Sequence, residues 1–314
     1  MSALVVVPPE VPRDWLASLG AADCEVIVGV DAVPDSRRAS VVGLLSLLTM
    51  PVDAALLDRL PKLRVVSNMA VGYDNVDVAA CTARGIPVGN TPGVLTDATA
   101  DLTMALLLAA ARRIDEAARD AREGRWQTWT PDGWLGVELR GTTLGIIGLG
   151  KIGYAVAERA RGFGMRIVYA GRSDHPEAKR IGATRLPVDE LLACSDFVSL
   201  HVPLTEATTR MIDAAALAKI KRGAILINTA RGPVVDQDAV IAALRDGRLR
   251  AAALDVTTPE PLPVDHPLFS TPGCLIVPHI GSATETTRRR MAALACDNLL
   301  AGVQGRPLPH RVGG

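Results

Sequence analysis

The chain has no excess of either charge: 34 Lys and Arg balance 34 Asp and Glu across 314 residues. That balance removes the basic footprint of a nucleic-acid binder and leaves no polybasic patch for a membrane surface, so the expected partner is a small ligand. Cysteine is scarce and scattered. Cys24, Cys81, Cys194, Cys274 and Cys296 are odd in number and never spaced Cys-x-x-Cys, which argues against a disulfide framework or a zinc site and fits a reducing cytoplasm. No metal is expected. Long hydrophobic runs are missing too, the longest purely apolar stretch being 104–111, far below the roughly 20 residues of a membrane span. The run from Ser2 to Pro9 has no basic region before it and is stopped by prolines, so it reads as a first strand and not as a signal peptide.

What is present is α/β patterning. A chain of this length is expected to form two domains. Over residues 1–92, apolar runs at 4–7, 25–28, 41–48, 64–68 and 86–88 alternate with helical stretches at 52–60 and 76–84, as in a parallel sheet with crossover helices. Asp53 is placed to cap the first of those helices, Asp74 or Asn75 the second, and Gly85 to close it. Thr91-Pro92-Gly93 punctuates the chain. The following stretch at 96–123, with an interruption expected at 112–115, is apolar nearly all round, which predicts burial between domains or against a second subunit. Trp126, Trp129 and Trp134 then cluster on a polar loop, the composition of an interface or site lid, or of rings that pin a surface loop. Strands are predicted at 143–147, 166–170, 197–201, 225–228, 251–255 and 275–278, with helices at 188–194, 213–218 and 237–246. Gly223 and Gly247 fall where turns follow helices, and an amphipathic helix at 284–300 precedes a Pro/Gly-rich tail. The pattern repeats in the two halves, as two similar folds would.

The strand at 143–147 runs into Gly148, Gly150 and Gly153 at Gly-x-Gly-x-x-Gly spacing, and a helical pattern follows. Strand, glycine turn and helix in that order form a dinucleotide fingerprint. The first glycine allows the tight turn, the second lets the diphosphate approach the backbone, and the third lets the helix pack closely so that its N–H groups face the phosphates.

In an open parallel sheet the ligand lies beyond the carboxyl ends of the strands. Thr229-Ala230-Arg231-Gly232, Asp255 through Glu260, and Pro278-His279-Ile280-Gly281 all follow predicted strands at that edge. An arginine, a carboxylate and a histidine together suit reduction of a 2-keto acid. Arginine offers a fork of donors for the carboxylate and keto oxygen. Histidine can protonate the oxygen as hydride reaches carbon. A carboxylate beside it favours the imidazolium and orients the ring. Asp255 is placed to hydrogen-bond the nicotinamide amide. Each residue also has a plainer reading: His279 as a core histidine bonded to a carbonyl, Glu260 as a solvated loop acid, Arg231 as a surface charge beside Gly232-Pro233. His175 and His310 lie in polar stretches, His266 in a Pro-rich loop, and His201 at a strand end where it packs or touches the ligand.

At these residues the chain resembles the D-isomer-specific 2-hydroxyacid dehydrogenase family over essentially its whole length. The motifs are Val71-Gly72-Tyr73-Asp74-Asn75, Thr91-Pro92-Gly93, Gly148-Leu-Gly-Lys-Ile-Gly153, Asn228-Thr-Ala-Arg231-Gly232, Leu254-Asp255-Val256, Pro259-Glu260-Pro261 and Pro278-His279-Ile280-Gly281. Within the family the segments 254–267, 278–284 and 298–303 are similar to those of glyoxylate/hydroxypyruvate reductases. The resemblance implies a two-domain α/β fold: a Rossmann-like doubly wound parallel sheet and a flavodoxin-like substrate domain. The substrate domain is implied to be discontinuous, 1–92 plus 285–314, with the nucleotide domain at 93–284 and a dimerisation helix and loop at about 94–140. Arg231 is implied as substrate clamp, Glu260 as partner of the histidine, and His279 as acid/base. Backbone N–H groups near Val71 and Gly72 are implied to receive the substrate carboxylate, with Trp134 a further contact in some members. The implied contacts to the dinucleotide cofactor are Thr99, Gly148, Gly150, Lys151, Ile152, Gly153, Val202, Pro203, Thr229, Ala230, Arg231, Asp255, His279 and Gly281.

Two departures from the family pattern stand out. The strand at 166–170 is followed by Gly171-Arg172-Ser173 with no acid at the place that usually binds the adenosine 2′-hydroxyl, so Arg172 and Ser173 are expected to hold a 2′-phosphate and NADP is expected over NAD. Asp174 is the opposing residue, late and facing solvent. Asp101 stands where glutamate is more usual, with no functional consequence attached, and Val71 occupies the place of a lysine in phosphite-oxidising relatives. The expected protein is a homodimeric, cytoplasmic NADPH-dependent reductase of glyoxylate and hydroxypyruvate. Reduction of another 2-keto acid such as a 2-ketoaldonate, or a nucleotide-sensing corepressor-like role, stays open at this point.

Overall fold

Short runs of Val, Leu, Ile and Ala make two parallel sheets over residues 2–313, the part of the chain described by this computed structural model. The chain divides into two units, Met1–Leu95 with Ala283–Gly314, and Thr96–Ser282.

In the first unit β1 (Ala3–Val7), β2 (Cys24–Val28), β3 (Val41–Ser46), β4 (Val65–Asn68) and β5 (Val88–Gly89) lie in the order β2-β1-β3-β4-β5, the flavodoxin-like arrangement. β3 and β4 are buried nearly throughout, as crossover helices covering both faces require. Asp53 caps the helix Ala54–Arg59 by accepting from the Leu56 N–H at 2.9 Å. The next helix, Val78–Ala83, starts later than its pattern predicts. Asp77 is the cap, accepting from the Ala80 N–H at 2.8 Å, whereas the Asn75 amide is spent on the carbonyls of Leu47 and Met50. Gly85, at φ +70°, ends that helix.

The helix Glu285–Val303 closes this unit. It buries one face through Thr287, Met291, Ala292, Ala295, Cys296 and Leu299 and exposes residues 285, 286, 289, 290, 293 and 297, and its last turn buries Ala301, Gly302 and Val303 as well. Two glycines allow this. A Cβ on Gly302 would lie 2.4 Å from Val65, and one on Gly43 would lie 3.0 Å from Leu299 and Val303. The tail then pairs antiparallel with the end of β5, Val312 N–H donating to the Val88 carbonyl at 2.8 Å, which covers that edge.

The second unit contains β6 (Thr143–Ile147), β7 (Arg166–Ala170), β8 (Thr184–Arg185), β9 (Phe197–Leu200), β10 (Ala224–Asn228), β11 (Leu249–Leu254) and β12 (Cys274–Ile276), in the order β12-β11-β10-β9-β6-β7-β8. This is a doubly wound sheet whose order reverses at β6, between β9 and β7. β8 is two exposed residues with no apolar run, and nothing in its sequence marks it. The helix Thr96–Ala111 packs its buried residues into this unit's own core with Leu144, Ile146, Phe197 and Ile227, so the unit itself accounts for that apolar surface. Arg113, left-handed at φ 53°, breaks the stretch inside the predicted interruption, and Ile114–Arg122 follows with nothing buried.

All five cysteines are free thiols. Among the described residues no helix is long and apolar enough to cross a membrane, and no group of three or more His, Cys, Asp or Glu could hold a metal ion.

Candidate active site

The glycine turn sits at the point where the strand order of the second unit reverses. Gly148 has φ +97°, and a Cβ there would lie 2.7 Å from the His201 carbonyl oxygen at the end of β9. Gly153 packs the helix Lys151–Gly162 onto the turn, since its Cβ would lie 2.3 Å from the Gly148 oxygen. Gly150 differs: a Cβ would meet nothing within 4 Å. Gly148 and Gly153 are therefore required by the protein's own packing, whereas the space beside Gly150 is open. No side chain caps the helix at Gly150, which leaves the first-turn N–H groups of Lys151, Ile152 and Gly153 for an anion. Open space and uncapped donors at one turn fit a dinucleotide diphosphate. Gly150→Ala is expected to keep the wild-type melting temperature and to lose about tenfold or more in dinucleotide affinity. Gly153→Ala is expected to cost about 1–3 kcal/mol of stability by overpacking. Thermal unfolding and dinucleotide titration of both variants check the pair; an unchanged affinity in Gly150→Ala would contradict this reading of the space.

Past Ala170 the chain runs through Gly171, Arg172 and Ser173, all exposed. Among the described residues nothing engages the Arg172 guanidinium by hydrogen bond or ion pair. Asp174 does face solvent, paired with Arg185 at 3.3 Å, while Arg185 also donates to the Gly171 carbonyl at 2.8 Å. His175 is not a loose surface residue: its ring stacks on Tyr154 at 5.3 Å between centroids, and its Nδ1 accepts from the Glu177 N–H at 3.2 Å.

The segments after β10, β11 and β12 meet. His279 Nδ1 lies 2.8 Å from Glu260 Oε2, and Glu260 Oε1 accepts from the Thr257 N–H at 2.9 Å. Burial pushes the Glu260 carboxyl up, but the hydrogen bond and charge of His279, the Thr257 N–H and the Arg231 charge together hold it below its ordinary value. His279 stands in the left-handed region at φ 51°, a conformation costing of order 1 kcal/mol outside glycine. Asp255 maintains it. The His279 N–H donates to the Asp255 backbone carbonyl at 2.9 Å. The Asp255 carboxylate, only 2% exposed, accepts from the N–H groups of Ile280 at 2.6 Å and Gly281 at 2.9 Å. Burial pushes this carboxyl above its ordinary value, and Glu260 adds to the rise, opposed by the two N–H groups and His279.

Arg231 is oriented from below, where Asn228 Nδ2 donates to its carbonyl at 2.9 Å and Asn228 Oδ1 accepts from the Ala230 N–H. The Arg231 Nη1 donates to the Ala230 carbonyl at 2.8 Å. Thr99 and Thr229 are buried; Thr103 joins them, its hydroxyl 2.9 Å from that of Thr229 and donating to the Thr99 carbonyl at 2.8 Å. Thr103 and Gln237 are supporting residues without a sequence motif. Gln237 grips the Glu260 loop through both the N–H and the carbonyl of Thr258, at 2.7 Å each.

Val202 lies beside the glycine turn, its Cγ1 3.0 Å from where a Gly148 Cβ would fall. The His201 ring bonds the Ser199 hydroxyl at 2.8 Å, and burial pushes it down to about 4, so it stays neutral at pH 7. Val202 and Pro203 follow it at the end of β9. His266 caps the short helix Pro267–Ser270. Trp134 donates its indole N–H to Asp120 at 2.8 Å, and no described hydrogen bond joins it to Arg231, Glu260 or His279. Val71 and Gly72 follow β4 in the first unit.

Residues 104–281 match the family described as D-isomer specific 2-hydroxyacid dehydrogenase, NAD binding domain. The chain belongs to this family. It is 47% identical over 320 residues to glyoxylate reductase of Korarchaeum cryptofilum, covering 99% of this chain and 96% of that protein. It is 52% identical over 256 residues to glyoxylate/hydroxypyruvate reductase B of Yersinia enterocolitica, covering 81% and 78%. Its structure matches that of the NADPH-dependent glyoxylate/hydroxypyruvate reductase of Sinorhizobium meliloti, in complex with NADP and malonate, with a TM-score of 0.90 at 34% identity over 100% and 97% of the two chains. This 2-hydroxyacid dehydrogenase is therefore an NAD(P)-dependent oxidoreductase.

Proposed function

We propose that this dehydrogenase reduces glyoxylate and hydroxypyruvate to glycolate and D-glycerate, with NADPH preferred over NADH. The observation that carries the reading is the Glu260–His279 pair. Glu260 occupies Nδ1 at 2.8 Å, which orients the imidazole and leaves Nε2 as the nitrogen that faces a substrate. Reduction of a 2-keto acid takes a hydride at the carbonyl carbon, which reduced nicotinamide supplies when bound, and a proton at the oxygen. In this reading His279 Nε2 gives that proton, and takes one back from the hydroxyl in the reverse oxidation. Arg231 binds the carboxylate and keto oxygen through its fork of donors, and the backbone N–H groups at Val71 and Gly72 receive the carboxylate. Asp255 keeps His279 in place, and its remaining lone pairs accept from the nicotinamide amide. The substrates named for the relatives support the choice of keto acid.

The preference for NADPH rests on Arg172. Its guanidinium follows the second strand of the dinucleotide fold, and Asp174, two residues on, is paired with Arg185. The homodimer is supported by the exposed side chains of Ile114, Trp126, Trp129, Leu135 and Phe163 and by an apolar cleft of about 350 Å³ lined by Leu108, Val137, Leu139 and Phe163.

Steady-state reduction of glyoxylate, hydroxypyruvate and a 2-ketoaldonate with each cofactor tests the proposal. The highest kcat/KM is expected with the two smaller acids and NADPH. Arg172→Ala is expected to raise KM for NADPH about tenfold and leave KM for NADH nearly unchanged. A wild-type preference for NADH would refute the role of Arg172, and absence of turnover on all three acids would refute the substrate.

A further inference from the structure

After β4 the first unit turns through residues 69–75, and three successive peptide groups there are held by their carbonyl oxygens. The Ala70 carbonyl accepts from the Thr91 N–H at 2.9 Å. The Val71 carbonyl accepts from Asn90 Nδ2 at 2.9 Å, and the Gly72 carbonyl accepts from Asn68 Nδ2 at 2.9 Å. None of these peptides is cis. A planar trans peptide points its N–H opposite to its C=O. Clamping the carbonyls of Ala70, Val71 and Gly72 therefore turns the N–H groups of Val71, Gly72 and Tyr73 away from the clamps. None of those three N–H groups donates a hydrogen bond among the described residues.

The clamps are themselves braced. Asn68 is fully buried, and its Oδ1 accepts from the Ser46 hydroxyl at 3.0 Å and from Asn75 Nδ2 at 3.2 Å. The Asn90 carbonyl accepts from Asn298 Nδ2 at 2.9 Å, and Asn298 Oδ1 accepts from the His310 N–H at 2.9 Å. Gly89 makes room for this contact, because a Cβ there would fall 2.7 Å from the Asn298 amide carbon.

We infer that Asn68 and Asn90 are positioning residues for the substrate carboxylate, holding the N–H groups of Val71, Gly72 and Tyr73 as a preset row of donors. The inference rests on the proposed reading that the amides at Val71 and Gly72 receive that carboxylate, and it adds Tyr73 N–H to the set. Donors fixed before the ligand arrives lose no reorganisation energy on binding. Asparagine is required at both places because each clamp must donate to a carbonyl. Aspartate would set an anion against that oxygen.

The test uses the full-length enzyme with saturating NADPH and oxamate, a 2-keto acid analogue, as competitive inhibitor. Asn90 is only half-buried, so its variants are the ones to make. Asn90→Ala is expected to raise both KM for glyoxylate and Ki for oxamate about tenfold, and Asn90→Asp to raise them further. The KM for NADPH is expected to stay unchanged and kcat to fall less than KM rises. An unchanged Ki in both variants overturns the inference, as does an equal loss of NADPH and oxamate binding, which would make Asn90 merely structural. A crystal structure of the wild-type enzyme with NADPH and oxamate separates the two levels. A carboxylate lying off the 71–73 amides overturns the underlying reading, and a carboxylate on them, with unaffected variants, overturns only the role of the asparagines.

Discussion

His279→Ala is expected to lower kcat about 10³-fold, within the range that loss of a general acid brings, while the Kd for NADPH changes by less than about threefold. The imidazole is already fully organised. Glu260 holds Nδ1, and the Asp255 carbonyl and carboxylate hold the backbone on both sides of the residue. Removing the ring thus removes the proton donor and little else. The left-handed backbone at φ 51° supplies a control, because asparagine adopts that region far more readily than alanine. His279→Asn is expected to lose as much activity as His279→Ala. If asparagine retained activity, the loss in the alanine variant would belong to the backbone and not to the proton. A parallel loss of NADPH binding in both would make His279 a structural residue.

Gly232→Ala is expected to cost about 1–3 kcal/mol of stability and at least about 100-fold in kcat/KM. No other alanine substitution in the site meets such an obstruction. A Cβ on Gly232 would lie 1.9 Å from the Thr257 carbonyl oxygen, 2.2 Å from its carbon and 2.7 Å from the Thr258 hydroxyl. Thr257 and Thr258 have little freedom to retreat. Thr257 donates its N–H to Glu260, and Gln237 holds Thr258 at both backbone groups. The added methyl therefore pushes the loop that carries Glu260 away from the segment that carries Arg231, and Glu260 leaves His279. Denaturant unfolding and steady-state kinetics read the two effects separately. Wild-type kcat/KM in this variant would show that the Arg231 and Glu260 loops are not coupled through Gly232.

The parts of the site legible in the sequence are those whose cause is local. The glycine turn is legible because the turn itself is local: Gly148 takes φ +97° and Gly153 packs against the Gly148 oxygen five residues back, whereas the approach of His201 to Gly148 comes from a distant part of the chain. Asp53 caps the helix three residues ahead of its acceptor bond, which the chain itself specifies. The next helix has no such local determinant. There Asp74, Asn75 and Asp77 were all chemically able to cap, and the choice of Asp77 followed from Asn75 being drawn to carbonyls 25 and 28 residues back in the chain. β8 was invisible because a two-residue exposed strand exists only through its pairing with β7.

Sequence alone determined the chemistry available at this sheet edge: an arginine, a carboxylate and a histidine after successive strands, beside a glycine turn. It did so because strand ends and turns are read over a handful of residues, and the parallel-sheet rule carries them to one side. Only the tertiary structure decided how those groups act on one another. Glu260 reaches His279 across 19 residues, Gly232 abuts Thr257 across 25, and Asn90 holds Val71 across 19. Each contact depends on how far neighbouring strands extend and how closely their loops approach. Those distances are set by packing between elements distant in the chain, and no local pattern records them.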